Sequence, residues 1–194
     1  MEERLHGNPV SEGIAYAKSY IYIPGTLTKA PDFFPKGQEE EKYREFRESC
    51  EKADSELVTL YNGMCKEDPD KAKIFSAHRE LLQDEEILDE IRETICEENM
   101  NPDSAVSKVY TEFAELLAGV EDPLIAERAA DLRDVRDRLL RILSGQETSK
   151  LSSFSEDVIL VAHDLLPSDT ATMDRKHIKG IPVSYTHLTL PTIA

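Results

Sequence analysis

Three kinds of side chain in this sequence could do chemistry: imidazoles, thiols and clustered carboxylates. His78 stands six residues before the Asp84-Glu85-Glu86 run. That spacing does not match a His-x-x-x-His or Glu-x-x-His pair on one helix face, so no metal site is expected. Cys50, Cys65 and Cys96 are odd in number and far apart. With no Cys-x-x-Cys pair they read as free thiols on helices, and neither zinc clamping nor disulfide exchange is expected. His163 closes an apolar run and reads as a strand-end histidine without an assigned role. Thr170, in Pro-Ser-Asp-Thr, can cap a short helix together with Ser168 or Asp169. His187, in Tyr-Thr-His-Leu, is not expected to act as a nucleophile.

These groups need elements to position them. Across 194 residues the formal net charge is -16, which argues against a nucleic-acid partner and favours a partner with a positive contact patch. No apolar run reaches membrane-spanning length and no leader is evident at the start, so the expectation is a soluble protein without a membrane role. Residues 13–23 read as a strand or strand pair. Tyr43, Phe46, Cys50, Leu57, Leu60 and Met64 recur at helical steps and predict an amphipathic helix over 38–64, roughly 40 Å long. Asp68-Pro69 opens a second helix carrying Ile74, Phe75, Leu81 and Leu82. Acids 84–86 suit a fresh helix start, beyond which Ile87, Leu88, Ile91 and Ile95 continue the stripe. Asn101-Pro102 begins a third, with Val106, Val109, Tyr110, Phe113, Leu116, Leu117 and Val120, and Asp122-Pro123 a fourth that Gly145 ends. In this last helix Leu132, Val135, Leu139 and Leu140 face inward, while Arg128, Asp131, Arg133, Asp134, Asp137 and Arg138 are expected on the surface. After a polar linker, residues 157–162 read as a buried strand and residues from about 169 as a short helix. Strand signals flanking a helical block imply an α-helical subdomain inserted into an α/β domain.

Four blocks in this order, HGNPVSEGIAYAKSYIY from His6, IFSAHRELLQDEEILDEI from Ile74, ERAADLRDVRDRLL from Glu127 and DVILVAHDLLPSDTATM from Asp157, resemble enzyme I. That family comprises the phosphoenolpyruvate-protein phosphotransferases of the bacterial sugar phosphotransferase system. The resemblance runs from about His6 to Ile181. It implies a mixed α+β, α/β-type fold in which a four-helix subdomain that docks the phosphocarrier HPr is inserted into a swivelling phosphohistidine domain, here truncated. The implied division is 1–35 for the first strands, 36–146 for the helical subdomain, 147–181 for the return to the α/β domain, and 182–194 as a non-native tail.

The resemblance also implies roles. Ile74, Leu81, Ile87, Phe113 and Leu117 would meet HPr, with Asp70, Lys71, His78, Asp84, Glu86 and Arg128 around them. Thr170 matches the threonine that orients the family's active histidine, which lies in a Gly-Gly-x-Thr-Ser-His motif that this sequence lacks. The chain should therefore dock HPr without taking phosphate from phosphoenolpyruvate. No cofactor is expected in it, since the family's Mg²⁺ ion lies in the C-terminal part, through which the parent dimerises. The piece itself is expected to be a cytoplasmic monomer. The tail PVSYTHLTLPT, from Pro182, resembles a translated sequencing-library adapter; the alternative is a real strand, since Val183, Tyr185 and Leu188 or Leu190 have some β-propensity. Two other readings stay open: a helical binding module without catalysis, and a piece of another phosphoenolpyruvate-using enzyme such as a pyruvate phosphate dikinase relative.

Overall fold

The computed structural model describes residues 10–22, 32–145, 150–163, 165 and 167–184. It divides into two compact units, Gly25–Thr148 and the pair of segments Met1–Pro24 and Ser149–Ala194.

The first unit is helical: α1 (Glu39–Met64), α2 (Pro69–Leu82), α3 (Glu85–Cys96), α4 (Pro102–Ala118) and α5 (Pro123–Leu143). The fresh helix start expected at acids 84–86 is present and brings the helices to five rather than four: Asp84 takes an extended conformation and its carboxylate accepts from the Glu86 and Ile87 amides at 3.1 Å. Asp68 does the same for α2, accepting from Asp70 and Lys71 at 3.2 Å. Each cap satisfies amides that the first helical turn leaves without partners, and such caps contribute about 1 kcal/mol. Gly145 follows α5 at φ +66, a left-handed conformation that glycine adopts without strain.

Phe46, Leu57, Phe75, Leu82, Ile91, Ile95, Val109, Tyr110, Leu132 and Leu139 are buried almost completely and form the core between these helices. Small residues complete it. Ala53, Ala72, Ala105 and Ala129 are buried where helices approach closely. Ahead of α1, residues 32–34 are pinned to the α3–α4 turn, with the Phe34 amide donating to the Asn99 carbonyl and the Asn101 amide to that of Asp32, both at 2.9 Å.

One expectation fails on α5. Asp134 and Arg138, assigned to the surface from helical spacing, are buried, at 2% and 4% exposure. Packing against α1, α2 and α4 leaves α5 little free circumference. The buried charges are paired across helices: Arg138 Nη1 donates to Glu56 Oε2 at 2.6 Å, and Arg141 donates to the same oxygen.

The second unit is a parallel three-stranded sheet in the order β1 (Lys18–Tyr22), β2 (Val158–Ala162), β3 (Ile178–Gly180). A 3-10 turn at Lys150–Ser152 precedes β2, and α6 (Pro167–Thr172) links β2 to β3. Leu151, Val158, Leu160, Ala162, Leu165, Met173 and Ile178 form its core, with the Tyr20 and Phe154 rings edge to face at 5.1 Å. The run VILVA buries alternate positions completely and the others partly, as expected of a central strand covered on both faces. Only Lys18 to Tyr22 of the stretch read as strand from Gly13 pairs with β2; Ile23 lies outside the described residues. Pro182 to Ser184, the start of the adapter-like stretch, lies beside the end of β2, with Ala162 donating to Pro182 and Ser184 donating to Ala162. These bonds use backbone atoms, so they place little demand on the residue types there.

Candidate functional site

On α2 the capping Asp68 fixes the helix start, so that Ala72, Phe75 and Leu82 point into the core while Ile74 and Leu81 remain half-buried at its edge. Asp70 and Lys71 are exposed, bound only to helix neighbours: Asp70 to Lys73 at 2.7 Å and Lys71 to Asp68 at 3.2 Å. Such surface pairs contribute little and part easily. On α4, Phe113 and Leu117 are half-buried, and on α5 Arg128 is exposed. Asp84 and Glu86 project from the α3 start, both exposed.

Two residues expected among these surface groups lie in the core. His78 is 0% exposed and Ile87 2%. His78 falls under the seam of α2 with α5, where Asp131 and Asp134 flank its ring, and Ile87 begins the inward stripe of α3 that Ile91 and Ile95 continue. Neither can touch another protein without movement of a helix. In exchange, the structure exposes apolar groups left out of the expected site: Leu116 at 69%, with Val120 and Ile125 near the α4–α5 turn. The half-buried and exposed apolar side chains thus lie on α2, on α4 and the turn after it, and at the start of α5, each with charged neighbours, which is the anatomy of a moderate protein interface.

The second candidate region is the carboxyl edge of the parallel sheet, where ligands of open α/β sheets commonly sit. Thr170 and Asp169 on α6 are both buried. The Tyr22 hydroxyl, at the end of β1, donates to Asp169 Oδ1 at 3.3 Å. His163, exposed at the end of β2, has its Nδ1 at 2.5 Å from the Ser184 hydroxyl. The expectation for His187 falls outside the described residues. Among the described residues no group of three or more His, Cys, Asp and Glu side chains is gathered as a metal would require. No described helix is long and apolar enough to cross a membrane. The Cys50 thiol, buried in the helical core, is pushed up to about 12 by desolvation and is no nucleophile at neutral pH.

Asp174 ties the α/β unit together. Its carboxylate contacts His177 Nδ1 at 2.7 Å and accepts from the Phe154 amide at 3.0 Å and the Lys176 amide at 3.1 Å. These bonds, the His177 side chain first and the Phe154 amide next, pull it down to about 2. A carboxyl depressed in the folded state contributes stability that is present above its unfolded value of about 3.9 and is lost as pH falls through the folded value. The α/β unit should therefore melt at progressively lower temperature between about pH 4 and pH 2, and Asp174→Asn should flatten that dependence. Melting curves followed by NMR signals of the β2 residues check this; an unchanged acid profile in the variant would contradict it.

Residues 6–128 match the family model described as PEP-utilising enzyme, N-terminal. The chain is 36% identical to the phosphoenolpyruvate-protein phosphotransferase of Priestia megaterium over 93% of this chain and 31% of that protein. It is 34% identical to the protein of the same name from Staphylococcus aureus (strain MRSA252), over 93% and 32%. An enzyme I structure solved by NMR superposes with a TM-score of 0.73 at 33% identity, covering 85% of this chain and 67% of that one. An N-terminal domain of the nitrogen-type enzyme I, at TM-score 0.63 and 23% identity, shares the fold. The chain spans about a third of the length of its curated relatives, and the structural match is to the enzyme I N-terminal domain. With more than half of its residues inside the family model and its two-part fold in common with those structures, the chain belongs to the PEP-utilising enzyme N-terminal family.

Proposed function

We propose that this chain is the carrier-docking part of a cytoplasmic phosphoenolpyruvate-protein phosphotransferase of the bacterial sugar phosphotransferase system. The helical unit docks HPr through Ile74, Leu81, Phe113 and Leu117, with Asp70, Lys71, Asp84, Glu86 and Arg128 around them. In the whole enzyme a phosphoryl group leaves phosphoenolpyruvate for an enzyme histidine and then passes to a histidine of HPr. The observation that supports the reading best is the half-buried apolar residues on α2 and α4 in a helical unit matched by the family model. The net charge of -16 suits a basic carrier surface and would speed encounter.

Thr170 is a positioning residue for the active histidine, which this sequence does not contain within a Gly-Gly-x-Thr-Ser-His motif. The Mg²⁺ ion and the dimer contact belong to the C-terminal part of the parent, and the chain alone is a monomer. The domain division follows the helical insertion, 36–146, with 1–35 and 147–181 forming the α/β part and 182–194 a non-native tail.

Calorimetric titration with HPr tests docking: saturable, salt-sensitive binding is expected, and no heat at millimolar HPr overturns the reading. Incubation with phosphorus-labelled phosphoenolpyruvate should leave the chain unlabelled with or without HPr, whereas acid-labile label on His187 or His163 would show a phosphoryl acceptor that the reading denies.

A further inference from the structure

His78 is the one histidine in the helical unit, fully buried, and it meets two acids of another helix: Nε2 is hydrogen-bonded to Asp131 Oδ1 at 3.3 Å, while Nδ1 lies 3.2 Å from Asp134 Oδ2 without hydrogen-bond geometry. A buried polar side chain costs stability unless it is paired, and an apolar residue of similar volume would pack the same seam without that demand. What the imidazole adds is geometry. Apolar contacts tolerate rotation and sliding of one helix on another, whereas a buried hydrogen bond from the ring to Asp131, with the Asp134 carboxylate close beside Nδ1, favours one register. The Phe75 ring, edge-on to the imidazole at 6.3 Å, supports that orientation.

The residues on either side of this clamp give it a consequence. On α2, Ile74 lies four residues before His78 and Leu81 three after it, so all three occupy one side of the helix. On α5, Arg128 lies one turn before Asp131. The clamp therefore joins the two helices at the level of the exposed groups each contributes to docking. We infer that His78 is a positioning residue for carrier docking: bonded through Nε2 to Asp131, it sets the register of α2 on α5 and so the spacing of Ile74 and Leu81 from Arg128, without touching the carrier itself. This rests on the docking reading above.

The test compares wild type with His78→Gln, whose amide can donate where Nε2 stands, and His78→Leu, which fills the space but cannot pair. Both changes lie beneath the surface, so any effect on the carrier is indirect. Titrating HPr into isotope-labelled protein, the Gln variant should bind within about threefold of wild type and the Leu variant roughly tenfold more weakly, with helix content retained. Residual dipolar couplings of the α2 amides should be kept in the Gln variant and altered relative to α5 in the Leu variant. If the Leu variant does not fold, His78→Asn, too short to reach Asp131 from the Nε2 position, takes its place with the same expectation. Equal affinity and unchanged couplings in the unpaired variant overturn the inference. If wild type itself does not bind HPr, the docking reading fails, and the couplings alone still decide whether His78 sets the register.

Discussion

Phe46→Ala is expected to destabilise the helical unit by about 3–5 kcal/mol. Phe46 is completely buried on α1, in the core shared with the other helices, so its truncation removes the transfer free energy of a phenyl ring and leaves a cavity that the surrounding side chains refill only in part. The α/β unit has a core of its own around Leu151, Leu160 and Ile178. Its stability should therefore be untouched by Phe46→Ala and lowered instead by Leu160→Ala, at about 2–5 kcal/mol. Denaturant titration followed by circular dichroism for the helices and by NMR for the β2 amides separates the two transitions. Equal shifts of both transitions in either variant would mean one cooperative unit and would contradict the division into two cores.

As anchors of the proposed interface, Leu81 and Phe113 are each expected, when changed to Ala, to weaken HPr binding at least tenfold, about 1.4 kcal/mol or more. Both side chains are half-buried, so truncation shortens the apolar contact while removing less core packing than Phe75→Ala or Tyr110→Ala would. Asp70→Asn, fully exposed beside Lys73, should change affinity by less than about threefold and act mostly through encounter rate and salt dependence. Calorimetry at two salt concentrations checks both statements. A larger loss at Asp70 than at Leu81 and Phe113 would contradict an apolar-centred interface.

Much of this architecture was legible in the sequence because the local signals agree with one another. Asp68-Pro69, Asp84 and Pro102 mark helix starts that the structure places at those positions, and Gly145 follows the last one. The apolar steps from Phe46 to Leu57 and from Ile87 to Ile95 are core. The failures share one cause. Periodicity assigns a helix one buried face, whereas α5 packs on several sides and buries Asp134 and Arg138, whose partners, His78 and Glu56, are 56 and 82 residues away in sequence. The same seam hid His78 from a reading that treated it as a surface group. Ile87 differs for another reason: the resemblance places it among the apolar residues that meet the carrier, whereas its spacing to Ile91 and Ile95 puts it in the buried stripe of α3, where the structure has it. In the α/β unit, β3 is three residues of mixed polarity, too short for alternation to register, and its place in the sheet follows from pairing with β2.

The central claim is that the helical unit carries the surface that docks a phosphocarrier. NMR titration of unlabelled HPr into the isotope-labelled chain tests it most directly. The expected result is a set of saturable shifts confined to the α2 edge at Ile74 and Leu81, to Phe113 and Leu117 on α4 and to Arg128 on α5, with β2 and α6 unaffected. Saturable binding with no shift at Leu81, Phe113 or Leu117, or shifts centred on the α/β unit, would contradict it.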